Sequence, residues 1–184
     1  MDRPNRFVAR VEIDGKEELC HVKNTGRLRE LLVPQARVFL AESDNPQRKT
    51  RFDLVLVYKG EQLVNIDSQM PNYLVREWIE AGGLFPDVTL VAMERRYGQS
   101  RFDLYVEHGG KKAFLEVKGV TLEVEKTARF PDAPTQRGVR HMRELMRCLE
   151  AGYEAFLIFV IQMKGVDRFQ ANWETQPEFG QVLR

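Results

Sequence analysis

The sequence predicts a mixed α/β (α+β) protein in two parts. A small OB-like β-barrel covers residues 1–68, and an α-β-β-β-α-β domain covers residues 69–184. Three observations predict it. Short alternating segments separated by turn residues fill the first 66 residues. Pro71 then interrupts the strand pattern, and "NYLVREWIEAGG" follows with a helical period. The rest alternates strand candidates with a long amphipathic helix, "QRGVRHMRELMRCLEAG", and one strongly apolar run, "AFLIFVIQ".

In chain order, "RFVARVEI" and "EELCHV" alternate apolar and polar residues around Asp14-Gly15, a two-residue hairpin signal. "GRLRELL" reads as a short helical turn. "ARVFLAE", "RFDLVLVY" and "QLVNI" are the next strands, the last two separated by Lys59-Gly60-Glu61. Five short strands with one small helix fit a closed barrel of the OB type. Asn72 is placed to cap the helix that follows, with Gly82-Gly83 ending it. Leu74, Val75, Trp78 and Ile79 form its apolar face. "VTLVAMERR", "SRFDLYVE" and "KAFLEVKGVTL" read as three strands, and "FPDAPT" as a loop into the second helix. The continuous run "FLIFVI" suits a strand buried on both faces.

Hydrophobic residues make up 43% and charged residues 30% of the chain, a globular balance that excludes disordered and fibrous classes. No apolar run approaches the roughly 20 residues of a membrane span. "MDRPNRFVAR" carries no apolar segment after its charges, so no secretory signal is expected. Cys20 and Cys148 are far apart and too few for a disulfide framework, which fits a reducing cytoplasm. The net charge of +1 argues against binding polyanions through bulk charge. Locally, however, residues 95–147 hold twelve basic and seven acidic side chains. That excess is enough to steer a nucleic acid to this segment.

The same segment contains "RFDLYVEHGGKKAFLEVK". A two-residue turn at Gly109-Gly110 fixes a register in which opposed residue numbers sum to 219, setting Asp103 opposite Glu116. A turn at Gly98-Gln99 gives a sum of 197 and sets Glu94 opposite Asp103. Opposed side chains lie about 5 Å apart at Cβ, and like charges there are unfavourable. Lys118 shares the face of Glu116, and Arg101 opposes Lys118. Two readings follow. One is a solvated sheet face laced with ion pairs. The other is a carboxylate pair that binds a hard cation, Mg²⁺ or Mn²⁺, with Lys118 polarising a water or a phosphate oxygen.

On the second helix, Arg137, Arg143 and Arg147 fall within about 60° of Arg140 at 100° per residue. This is a solvated face or a phosphate-contact face. Arg137 and His141, in the first turns, are the members expected to reach the carboxylates. Asn24, Thr25, Gly26 and Arg27, and Arg48, Lys49 and Thr50, fall in barrel loops. Such residues serve ordinary turns, and they also serve nucleic-acid binding in OB-folds. His21, His108 and His141 show no zinc spacing with either cysteine, and neither a P-loop nor a Rossmann fingerprint occurs.

Asp103 followed by Glu116-Val117-Lys118 within α-β-β-β-α-β resembles the PD-(D/E)XK nuclease signature. In order, "HVKNTGR", "NPQRKT", "GQSRFDL", "FLEVKGVTL" and "FPDAPTQRG" resemble the SfsA family, the sugar fermentation stimulation proteins, over nearly all of the chain. The resemblance implies an N-terminal OB-like domain, a restriction-endonuclease-like second domain and DNA as partner. It implies Asp103 and Glu116 as metal ligands with the Val117 carbonyl, Lys118 as the catalytic lysine, and Mg²⁺ or Mn²⁺ as cofactor. Glu94, Arg101, Arg137 and His141 are candidates for the same site. Asn24, Thr25, Arg27, Arg48, Lys49 and Arg140 are candidates for nucleic-acid contact. Two departures stand out. The family pattern implies a further helix and strand after "PEFGQVLR", and a small apolar residue where Pro134 stands. The functional expectation is a metal-dependent nuclease. The alternatives are a non-catalytic DNA-binding regulator of sugar-utilisation genes and a purely structural or protein-interaction role.

Overall fold

The computed structural model describes residues 2–184. In chain order the elements are β1 (Asp2–Asn5), β2 (Val8–Ile13), β3 (Lys16–Val22), β4 (Val38–Glu42), β5 (Phe52–Lys59), β6 (Gln62–Asn65) and α1 (Met70–Glu80). Then come β7 (Val88–Tyr97), β8 (Ser100–His108), β9 (Lys111–Val120), β10 (Leu122–Val124), β11 (Thr127–Phe130) and α2 (Gln136–Glu150). β12 (Glu154–Ile161), β13 (Arg168–Ala171) and α3 (Pro177–Leu183) complete the chain. Two compact units interleave along it. The first takes the residues up to Gln69 with Thr121–Ala133 and Ile161–Gln170. The second takes Met70–Val120, Pro134–Val160 and Ala171–Arg184.

The first unit is built on a hairpin that turn chemistry dictates. Asp14 and Gly15 have φ of +51° and +75°, and β2 pairs β3 from Ile13↔Lys16 to Val8↔His21. The sheet runs β1-β2-β3-β5-β4, with β6 also on β5. Among the described residues no ladder closes it, whereas the sequence reading expected a closed five-strand barrel. The sheet branches at β5 instead. Phe52–Leu54 pairs β3, and Leu56–Lys59 pairs β6, so one strand serves two partners in succession. "GRLRELL" forms a single turn rather than a helix: Leu31 and Leu32 donate to the Leu28 carbonyl, and Leu28 has φ of +47°. The core gathers Ala9, Cys20, Val22, Leu54, Val57, Val64 and Ile66, all fully buried. The second sheet, β10-β11-β13, is tied in by Lys59, which donates to the Glu123 carbonyl at 2.6 Å and carboxylate at 2.7 Å.

A half-buried ion pair sits on β5. Arg48 donates to both oxygens of Asp53, at 3.0 and 2.6 Å, and His21 Nδ1 lies 3.1 Å from the same carboxylate. The Arg48 hydrogen bonds, aided by His21, hold the Asp53 carboxyl below the usual carboxylate range despite partial burial.

In the second unit the sheet order is β12-β9-β8-β7. One face packs on Val75 and Ile79 of α1 through Leu104, Val106, Ala113, Leu115 and Val117. The other packs on Leu145 and Cys148 of α2 through Phe102, Tyr105 and Phe114. Thr135 caps α2 by accepting from Gly138 N–H at 3.0 Å, a contact worth about 1 kcal/mol. Asn72 is not the cap of α1. The helix starts at Met70, Asp67 accepts from Gln69 N–H at 2.8 Å, and Pro71 sits in the first turn, where no helical donor is lost. The buried face of α1 is Pro71, Val75 and Ile79, with Leu74 and Trp78 both 47% exposed. β12 is half-buried throughout rather than buried on both faces, because it is an edge strand paired only to β9 within this sheet. Both helices end in a Schellman arrangement. Gly82 and Gly83 donate to Ile79 and Trp78, and Gly152 and Tyr153 donate to Leu149 and Cys148.

Gly82 has φ of +80° and open space where a Cβ would stand, whereas a Cβ on Gly83 would lie 1.8 Å from Trp78 Nε1. Gly82→Ala is expected to cost about 1 kcal/mol through backbone strain alone. Gly83→Ala is expected to cost more and to shift the Trp78 fluorescence, and both can be read from urea midpoints. Asp53 gives a second expectation. Its depressed folded pKa means that its stabilisation is present above the ordinary carboxylate pKa of about 4. That stabilisation is lost as pH falls through the folded value. Asp53→Asn should therefore be less stable than wild type at pH 7, with the gap narrowing towards pH 3. A gap that is constant with pH removes the ion-pair account.

Candidate active site

The β8–β9 ladder runs in the register set by Gly109-Gly110, from His108↔Lys111 to Leu104↔Leu115, and stops there. Asp103 and Glu116 are next in line but do not pair. Instead the Asp103 carboxylate takes the Val117 amide: Oδ2 accepts from Val117 N–H at 2.8 Å, where a backbone carbonyl would serve in a continued ladder. The side-chain phase of β8 slips at the same residue. Leu104 packs on the α1 face and Phe102 on the α2 face, although strict alternation would place both on one face. Across the sheet, β7 makes the matching adjustment. Met93↔Leu104 and Arg95↔Phe102 are paired, Glu94 is stepped over, and its φ is +56°. That conformation costs a non-glycine residue on the order of 1 kcal/mol.

The slip turns Asp103 towards α1, where Oδ1 accepts from Asn72 Nδ2 at 3.1 Å. Glu116 projects from regular β9 towards α2, where Oε1 lies 2.5 Å from His141 Nδ1 and also accepts from Lys118 Nζ. The two carboxylates thus flank the point where β8 and β9 part, Asp103 leaning towards α1 and Glu116 towards α2. Burial, and then the negative field of Glu116, raise the Asp103 pKa. Burial works against ionised Glu116 too, but the His141 and Lys118 interactions outweigh it and hold its pKa below the usual range. Glu116 is 2% exposed, and its Oε2 is buried with no hydrogen-bond partner. A buried carboxylate oxygen without a donor is costly unless something electropositive meets it.

Among the described residues no group of three or more His, Cys, Asp or Glu side chains is arranged to hold a metal. The oxygen donors present are instead the Asp103 and Glu116 carboxylates. This fits Mg²⁺, which commonly takes one or two carboxylates and completes its shell with water and substrate phosphate. The orphaned Glu116 Oε2 fits the same demand.

Other predicted residues are dispersed. Glu94 and Arg101 face each other at 3.5 Å, with side chains 60% and 57% exposed. Arg101 pairs Arg96 on β7 rather than Lys118, because the β8–β9 ladder ends before reaching it. Arg137 Nε donates to His141 Nε2 at 3.3 Å, Arg143 pairs Glu178, and Arg147 pairs Glu144, while Arg140 is exposed. In the first unit, Arg48 and Lys49 line a cavity of about 400 Å³ with His21, Lys23, Thr50 and Asp53. Thr25 and Arg27 are exposed. Asn24 is a turn residue, donating to the Ile66 carbonyl and accepting from Gly26 N–H. Sequence reasoning missed Asn72 as a partner of Asp103, although it lies three residues before Val75 and so on the core face of α1.

Comparison with known proteins agrees with this architecture. Residues 1–66 match the family model described as the SfsA N-terminal OB domain, and residues 69–184 match the sugar fermentation stimulation protein RE domain. A sugar fermentation stimulation protein homolog of Clostridium beijerinckii is 59% identical over 182 residues, covering 99% of this chain and 80% of its own length. One from Ruminiclostridium cellulolyticum is 58% identical over 184 residues, covering 100% of this chain and 81% of its own. The structure of Pyrococcus furiosus SfsA in complex with Ca²⁺ superposes with a TM-score of 0.92 at 28% identity, covering 100% of this chain and 79% of that one. With both family models matched and relatives of this identity along its whole length, this chain belongs to the SfsA family of sugar fermentation stimulation proteins.

Proposed function

We propose that this protein is a divalent-metal-dependent nuclease acting on DNA, with Asp103, Glu116 and Lys118 as its reactive centre. The observation that carries the reading is Glu116 Oε2, buried and without a donor beside a second, half-buried carboxylate whose pKa is raised. A buried and a half-buried carboxylate with one neighbouring lysine leave local negative charge that a cation would neutralise. Asp103, Glu116 and the Val117 carbonyl would hold Mg²⁺ or Mn²⁺. The Ca²⁺ complex named for the P. furiosus relative supports an oxygen site for a hard cation. The bound cation would supply charge to a phosphoryl oxygen and acidify a water. Lys118, 17% exposed and anchored on Glu116, presents its remaining N–H groups to the attacking water and to the charge developing on phosphorus. Asn72 and the Val117 amide fix the Asp103 carboxylate.

The name shared by the relatives favours a second reading, a DNA-binding regulator of sugar-utilisation genes that keeps the fold without turnover. One experiment separates them. Wild type and Lys118→Ala are given labelled duplex DNA, single-stranded DNA and RNA with Mg²⁺, Mn²⁺ or EDTA. For a nuclease, Lys118→Ala cuts about 10²–10³-fold more slowly while binding is nearly unchanged. Equal residual cleavage by both proteins assigns that activity to a contaminant and leaves the regulator.

Binding itself is expected to depend on salt. Arg27, Lys49 and Arg140 are exposed and serve as phosphate contacts, whereas Arg48 is engaged by Asp53 and Arg137 by His141. Each phosphate contact contributes about 0.9 to the slope of log affinity against log salt on duplex DNA. Arg140→Ala should lower that slope by about 0.9, and a slope of zero in wild type removes the electrostatic account.

A further inference from the structure

Glu116 uses its two oxygens unequally. Oε1 receives both donors, His141 Nδ1 and Lys118 Nζ, and Oε2 receives none. The far side of the imidazole is committed as well. Arg137 Nε can only donate, and it lies 3.3 Å from His141 Nε2. Nε2 is therefore the accepting nitrogen, and the ring proton sits on Nδ1, pointing at Glu116. The ring has little freedom to do otherwise. Its side chain is 5% exposed, and it meets the Phe102 ring edge-to-face at 6.0 Å. Arg137 and His141 are one helical turn apart on α2, so the helix sets their separation.

We propose that His141, itself held by Arg137, is a positioning residue for Glu116. It fixes Oε1 and thereby leaves Oε2 as the atom that meets the cation, and it does not ligate the cation. This rests on the metal reading given above. A coordinating imidazole nitrogen must offer a lone pair. Here one nitrogen donates a proton and the other has its lone pair taken, so neither can ligate without breaking the chain from Arg137 to Glu116. Clamping one oxygen also removes the carboxylate's choice of which oxygen to present, and a ligand fixed before the cation arrives loses less freedom on binding.

The test uses the full chain. The protein has three histidines, His21, His108 and His141. Long-range proton–nitrogen spectra of the labelled protein, with His141→Asn assigning the resonance, report its tautomer directly. The expected result is a proton on Nδ1, retained when Mg²⁺ is added. A proton on Nε2, or loss of the Nδ1 proton on adding Mg²⁺, overturns the proposal. Calorimetry with Mn²⁺ gives the second readout. His141→Ala should weaken binding about 10–100-fold, the usual effect of losing an outer-sphere partner. His141→Asn, whose amide N–H lies near the lost Nδ1–H, should recover part of it. Affinity in His141→Ala equal to wild type overturns the proposal, and so does complete loss in both variants, which is the behaviour expected of Asp103→Ala. If wild type takes up no Mn²⁺ the metal reading fails on its own, and the tautomer still decides whether Arg137 and His141 orient Glu116.

Discussion

The second unit depends on one substitution of partners: the Asp103 carboxylate takes the Val117 amide that a strand carbonyl would otherwise hold. A buried amide must be bonded to something, so ending the β8–β9 ladder at Leu104↔Leu115 is tolerable only because this side chain stands in. The exchange has two effects. It lets the strands part where the acidic groups sit, and it shifts the side-chain phase so that Phe102 packs towards α2 while Leu104 packs towards α1. The positive φ of Glu94 on β7 is the matching step that keeps the two strands in register on either side. The strained φ of Glu94 thus sits beside the carboxylates, a kind of place where strained positions in proteins tend to collect.

Around that break the electrostatics are asymmetric. Glu116 is stabilised as an anion by His141 and Lys118 in spite of its burial, while Asp103 is pushed the other way by burial and by Glu116. Two carboxyl groups whose pKa values diverge are suited to different duties. Structural ion pairs such as Lys59 with Glu123, or Arg48 with Asp53, lack this feature, because each of those anions has its own cation and lies in the stabilised direction only. The contrast singles out the β8–β9 opening among the acidic residues of the chain.

Much of this was legible in the sequence, for a physical reason. Asp14-Gly15, Gly98-Gln99 and Gly109-Gly110 are turns whose backbone demands fix strand register, so the β2–β3, β7–β8 and β8–β9 pairings followed from counting. The amphipathic α2 and the Gly82-Gly83 stop of α1 were equally readable, as was membership of the family. Tertiary competition was not. Nothing local says that Asp103 will choose a backbone amide over its cross-strand position, or that Asn72 will enter a helix and bond Asp103 rather than cap it. An apolar strand such as β12 reads as central, yet its place at the edge of the sheet is set by which strands pair beside it. Likewise, the length of β5 does not reveal that it will carry β3 and β6 in succession.

The interleaving of the two units bears on how the chain is made. The first unit begins at the N-terminus, but Glu123, the partner of Lys59, and β13, which completes its smaller sheet, emerge from the ribosome only after β9 and β12 respectively. The usual advantage of vectorial synthesis, in which an N-terminal domain folds before the next is translated, is therefore weakened here. Strands β1–β6 must wait for the later segments of their unit while the β12-β9-β8-β7 sheet is assembled. Maturation of the two halves is coupled in time, and a stalled or prematurely terminated chain would leave both incomplete.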